Sequence, residues 1–98
     1  MFGRMTTLEA SPESMDAAIA SLRDHVFPGV EGMDGFKGMI ALGNRETGKM
    51  LAVTLWETEA AMKASEEGAN LLRGSTADDA SARIAGVERL EVIFEARV

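Results

Sequence analysis

Three side chains in this sequence have the chemistry to do more than pack: Trp56, His25 and Arg4. Trp56 falls where a predicted strand runs into a predicted helix. Its flat indole there can stack on a polycyclic aromatic ligand or donate its N–H to a ligand oxygen, or it can simply pack the junction. His25, the single histidine, lies three residues before Pro28 near the expected end of the first helix, where a cation suits the negative end of the helix dipole. A helix-end histidine with no chemistry is the favoured reading of it. Arg4 shares a predicted strand face with Phe2, Thr6 and Leu8, which puts a guanidinium among apolar groups if that face is covered. A buried arginine wants an anion, either a structural glutamate or the carboxylate or phenolate of a ligand.

The rest of the inventory is thin. There is no cysteine and no tyrosine. Disulfides, thiolate nucleophiles, iron–sulfur clusters and the usual structural zinc sites are therefore excluded. With one imidazole per chain, a catalytic triad or a two-histidine metal site has little to draw on. Seven methionines suit irregular apolar cavities as well as ordinary core. The acidic pairs Glu66-Glu67 and Asp78-Asp79 read as solvated helix surface.

The elements that must position these residues follow from periodicity. Phe2 to Leu8 alternates as a short strand, with Phe2, Arg4, Thr6 and Leu8 on one side and Met5 and Thr7 on the other. Ser11-Pro12-Glu13 opens a helix whose stripe is Met15, Ala18, Ile19, Leu22 and Val26, and Phe27-Pro28-Gly29 is expected to stop it. Phe36 to Gly43 and Lys49 to Trp56 alternate on either side of a polar turn and predict a hairpin. In its first strand Phe36, Gly38, Ile40 and Leu42 should share one face. Thr58 caps a second helix with a small-residue face of Ala61, Ser65, Ala69 and Leu72, which Gly68 and Gly74 should weaken and end. Ser75 to Asp78 resembles a capping box for a short further helix reaching Ala85, and Val87 to Val98 reads as a long final strand.

The order is β-α-β-β-α-β with a helical insertion. Right-handed crossovers then give an α+β, ferredoxin-like antiparallel sheet with both helices on one face, in a single domain over residues 1–98. The other face should be polar, yet Leu51, Val53 and Leu55 oppose Met50, Ala52 and Trp56. A sheet apolar on both faces calls for a second copy, so a homodimer is expected, the more so in a chain of 98 residues.

A formal net charge of -6 disfavours nucleic acid as a partner. No apolar run is long enough for a membrane helix and no signal segment is seen at the start, so a cytoplasmic protein is expected.

The stretch Pro28-Gly29, then Gly35 to Met39, then Gly48 to Met62 with Trp56 closing the strand, resembles the antibiotic biosynthesis monooxygenase (ABM) domain family of the dimeric α+β barrel superfamily. The resemblance covers most of the chain. It implies a dimeric barrel and a cofactor-free, monooxygenase-like protein acting on a bulky aromatic small molecule. Trp56 matches the strand-end tryptophan that lines the pocket between sheet and helices in several members. The expected site is Trp56 and His25 as catalytic residues, with Arg4, Phe27, Phe36 and Thr54 binding substrate. The haem-degrading branch needs an asparagine on the first strand and a histidine on the second helix. Here those elements offer Arg4, Met5 and Thr6 and no histidine, which disfavours haem chemistry. A non-catalytic dimeric module binding a ligand or a partner is the main rival, and haem held by His25 a third reading.

Overall fold

The computed structural model describes residues 1–98. Strand β1 (Phe2–Glu9) leads into a helical arm built from a 3-10 turn (Pro12–Ser14), α1 (Met15–Ser21), a π-helical segment (Leu22–Val26) and α2 (Phe27–Val30). Strands β2 (Phe36–Gly43) and β3 (Lys49–Trp56) form the hairpin, followed by α3 (Glu59–Ala64), α4 (Glu66–Asp79) and β4 (Arg83–Glu91). The four strands make one sheet in the order β2-β3-β1-β4, every neighbour antiparallel. That is the ferredoxin-like α+β arrangement, with the central strands β1 and β3 sandwiched between the two edges.

Alternation decides which face is covered. Arg4, Thr6 and Leu8 on β1 and Met50, Ala52, Thr54 and Trp56 on β3 are buried beneath the helices. One core cluster joins Leu8, Met50 and Ala52 to Met15, Ala18, Leu22 and Val26, and a second joins Trp56 to Val30 and Met62. Two chain reversals set this register. Gly48 sits at φ +85°, and a Cβ there would fall 2.0 Å from the Ala10 carbonyl oxygen, so the hairpin turn can close on β1's exit only with glycine. Thr58 accepts a hydrogen bond from the Ala61 amide at 3.0 Å and fixes the start of α3 right after Trp56.

Several boundaries differ from the periodicity reading. Phe27-Pro28-Gly29 does not stop the first helix. The chain widens to i→i+5 bonding, with the Phe27 amide donating to the Leu22 carbonyl, and this π segment carries the helix past a proline that has no N–H to give. In β2 a bulge after Phe36 places Phe36 opposite Trp56 and Gly38 opposite Leu55. Phe36 therefore shares the helix side with Met39 and Ala41, not the outer side with Ile40 and Leu42. Helix α4 passes through Gly68 and Gly74 without a break, because Ala69, Leu72 and Thr76 pack inward along its whole length. Strand β4 begins at Arg83 rather than Val87 and ends at Glu91 rather than Val98. Its partner β1 supplies ladder bonds only as far as Phe2, opposite Glu91, and beyond that just the Val92 amide finds the Met1 carbonyl.

Candidate functional site

Between the sheet and the helices lies a cavity of about 30 Å³. From the sheet it is lined by Arg4, Thr6, Leu8, Met39, Ala52 and Thr54. The π segment contributes Leu22 and Val26, α2 contributes Val30, and α4 contributes Ala69, Arg73 and Thr76. A space of that size holds roughly one or two water molecules. Leu22 and Met39 also border an outer apolar groove of about 270 Å³ that Ile19, Arg23, Phe27 and Ala41 complete.

Arg4 is the most constrained charge in the molecule, 2% exposed at the middle of the sheet. Its Nη2 donates to the Met62 carbonyl at 2.7 Å and to Ser65 Oγ at 2.8 Å, and its Nε donates to Glu66 Oε1 at 3.3 Å. Its Nη1 is buried and has no partner. Arg73 Nη2 donates to Asn70 Oδ1 at 3.2 Å, and its Nη1 too is buried without a partner. Burial pushes the proton affinity of both arginines down, and the positive charge of Arg4 pushes Arg73 further the same way. Both stay charged near neutrality because guanidinium starts so high.

Glu66 was expected on the solvated helix surface, but it is a structural anion. Arg89 donates to it through Nε at 2.6 Å and Nη2 at 2.9 Å while Arg4 reaches it from the other side. Hydrogen bonds from Arg89 first, opposed by partial burial and reinforced by the charges of Arg4 and Arg89, hold its carboxyl down at about 2. Two guanidinium groups thus hold one carboxylate, and Arg73 feels the charge of all three, a local excess of positive charge in an acidic chain.

Of the residues singled out from sequence, Arg4 and Thr54 line the cavity. Trp56 is fully buried on the same strand face as Thr54 and does not line the cavity. Its Nε1 donates to Thr54 Oγ1 at 3.0 Å, the Arg4 guanidinium lies 5.5 Å from its ring centroid, and Phe36 meets it edge-on at 5.4 Å. Phe36 is half-buried against it, and Phe27 stands in the outer groove, 6.1 Å from Phe36. His25 is exposed on the π segment and borders none of these spaces. Sequence reading missed Thr6, Ala69, Arg73 and Thr76 as site residues. A signal existed: Ala69, Arg73 and Thr76 stand at helical spacing, but only if the helix is carried through Gly74.

A sequence model of the antibiotic biosynthesis monooxygenase family matches residues 1–74. The uncharacterized protein Rv2558 of Mycobacterium tuberculosis (strain ATCC 25618 / H37Rv) is 40% identical over 91 residues, 93% of this chain and 37% of that protein. The chain spans about a third of the length of the curated relatives it matches, 35% and 37% of them. Among solved structures, the haem-degrader MhuD (Rv3592) of Mycobacterium tuberculosis, with two haems bound in its active site, superposes with TM-score 0.76 at 19% identity, covering 99% of this chain and 100% of that one. A monooxygenase from the gene ActVA-Orf6 of Streptomyces coelicolor, in complex with Nanaomycin D, superposes at 0.69 with 14% identity, covering 99% and 89%. At these identities the two structures speak for the fold alone.

Proposed function

The chain belongs to the antibiotic biosynthesis monooxygenase family, and on that premise we propose that it acts as a cofactor-independent, monooxygenase-like unit over residues 1–98 on a bulky aromatic small molecule. The observation that carries this reading is the composition of the covered cavity: apolar walls from both layers, three threonine hydroxyls and two guanidinium groups with a free N–H each. An electron-rich aromatic that has lost a proton can itself pass an electron to dioxygen. The protein then needs only to hold the anion and keep water away. For an anthrone-type substrate the methylene becomes a carbonyl, and the second oxygen atom leaves as water.

In this reading Arg4 and Arg73 steady the anion, Thr54 faces it, and Trp56 is a positioning residue that holds Thr54 and Arg4. Phe36 backs Trp56, and Phe27 guides the ligand body in the outer groove. None of the lining side chains accepts a proton near neutrality, and His25 stands outside. The substrate's proton is therefore lost to solvent as it enters. A polycyclic ligand exceeds the present volume, so entry has to draw the π segment away from the sheet at Leu22 and Met39, which border both spaces.

Two copies are proposed to pack through the outer sheet face, where Ile40, Leu42 and Leu90 are more than half exposed. No helix is long and apolar enough to cross a membrane. The lack of a proton acceptor in the cavity favours a second reading, a dimeric binding module without turnover. Haem held by His25 would lie on the helix surface, away from the covered cavity, which disfavours the third.

Oxygen uptake with hydroxylated anthrones and quinols, without added metal or flavin, tests the proposal. Consumption of one dioxygen per carbonyl formed, reduced in Arg73→Met, is expected. A panel that consumes no more oxygen than buffer leaves the binding module.

A further inference from the structure

The molecule contains two buried N–H donors without partners, Nη1 of Arg4 and Nη1 of Arg73, and both belong to residues lining the same cavity. Orphaned buried polar atoms cost free energy, and a charged group costs more than a neutral one. The two side chains enter the cavity wall from different layers, one on a central strand and one on α4, and a ligand or an ordered water is the partner left for each. The surrounding residues narrow its chemistry. Glu66 is already engaged by Arg4 and Arg89, so it cannot neutralise both arginines. Thr6, Thr54 and Thr76 bring hydroxyls to the same walls, of which Thr76 bonds Ser21 and Thr54 accepts from Trp56, each leaving capacity for a further bond. Every other lining residue is apolar.

We propose that this cavity binds the carboxylate head of an aromatic organic acid, one oxygen toward Arg4 and the other toward Arg73, with the apolar body passing between Leu22 and Met39 into the groove at Phe27. The cavity is the size of the head, and the groove of about 270 Å³ is the size of a ring system. The groove holds one cation, Arg23, already paired with Asp24 through two hydrogen bonds, so it adds no second charge for the ligand to meet. Leu22 of the gate lies on the π segment, and such segments recur at functional sites. This assignment names the ligand class of the cavity used under the proposed function and rests on that reading for its aromatic body.

Isothermal titration of the full chain with 2-naphthoate, 2-naphthamide and inorganic phosphate tests it without any turnover. One naphthoate per chain, at least tenfold tighter than the isosteric amide and than phosphate, is expected. Arg73→Met and Arg73→Gln, at a partly exposed helix position and checked for folding by circular dichroism, should each weaken naphthoate at least tenfold and leave the amide unchanged. Equal binding of the amide, equal binding of phosphate, no naphthoate binding, or naphthoate affinity unmoved in a folded Arg73 variant each overturns the proposal. Failure here leaves oxygen uptake by a neutral substrate open, and failure of oxygen uptake leaves the carboxylate site intact, so the two readings fall separately.

Discussion

The Arg4 guanidinium rests over the face of Trp56, 5.5 Å from the ring centroid, with both side chains out of contact with solvent. Desolvated cation–π pairs of this kind contribute about 2 kcal/mol. The same guanidinium ties β1 to the end of α3 through Met62 and Ser65. Arg4 is therefore a structural tie as well as a cavity wall.

Replacing Arg4 by alanine should cost on the order of 3–5 kcal/mol, because it leaves an oversized cavity and removes the inward partner of Glu66. Arg4→Met fills most of the volume and introduces no charge. It should lose markedly less stability while still removing one of the two cavity guanidinium groups. Urea denaturation of both variants checks the order, and an alanine variant as stable as the methionine one contradicts it.

Thr54 gives the indole of Trp56 its acceptor at 3.0 Å in a fully buried setting. Thr54→Val keeps the shape and orphans the indole N–H, so a loss of about 1–3 kcal/mol is expected. Thr54→Ser keeps the oxygen and should lose less. Chemical denaturation followed by the fluorescence of Trp56, the single tryptophan, reads both.

Glu66 predicts the shape of the acid limb. Its carboxyl is held at about 2, against 4.5 for the unperturbed group, chiefly by hydrogen bonds from Arg89. A carboxyl whose folded value is depressed stabilises the fold above its unfolded value, and that contribution is lost as the pH falls through the folded value. Wild-type melting temperature should therefore fall between pH 4.5 and about 2. Glu66→Gln should start lower at neutral pH and flatten over that same window. Parallel acid limbs in the two proteins would refute the assignment.

Most of the scaffold was legible in the chain because its signals are local. Alternation placed β2 and β3 to the residue, and Thr58 marked the start of α3 through its own side chain. What was not legible depends on partners distant in sequence. Glycines 68 and 74 are poor helix formers, and only packing of Ala69 and Thr76 against the sheet and the first helical arm keeps α4 whole. The end of β4 is set by where β1 begins. The cavity shares that dependence. Arg4 could be suspected from its strand face, whereas Arg73 stands directly before the expected helix end at Gly74 and Thr76 joins it only once α4 is carried through that glycine. Glu66 looked like ordinary helix surface for the same reason, since both of its guanidinium partners lie on strands.

The outer face of the sheet makes the last prediction. Leu51, Val53 and Leu55 on β3 are half-buried on that side with no helix above them, only Phe94 to Arg97 standing near Leu55 and Ile40, and beside them on β2 Ile40 is 54% and Leu42 57% exposed. Burying apolar surface contributes about 25 cal/mol per Å², so a second sheet laid against this row gains several kcal/mol from a few side chains. The opposite face cannot serve, because the helices already cover it. Light scattering should give twice the 10.5 kDa chain mass. Leu42→Glu sets a charge beside Leu51 at a position already exposed in the single chain, so it should halve that mass while leaving the fold's circular dichroism unchanged. A wild-type chain that scatters as a monomer at micromolar concentration, or a Leu42→Glu variant that remains a dimer, removes this face as the interface.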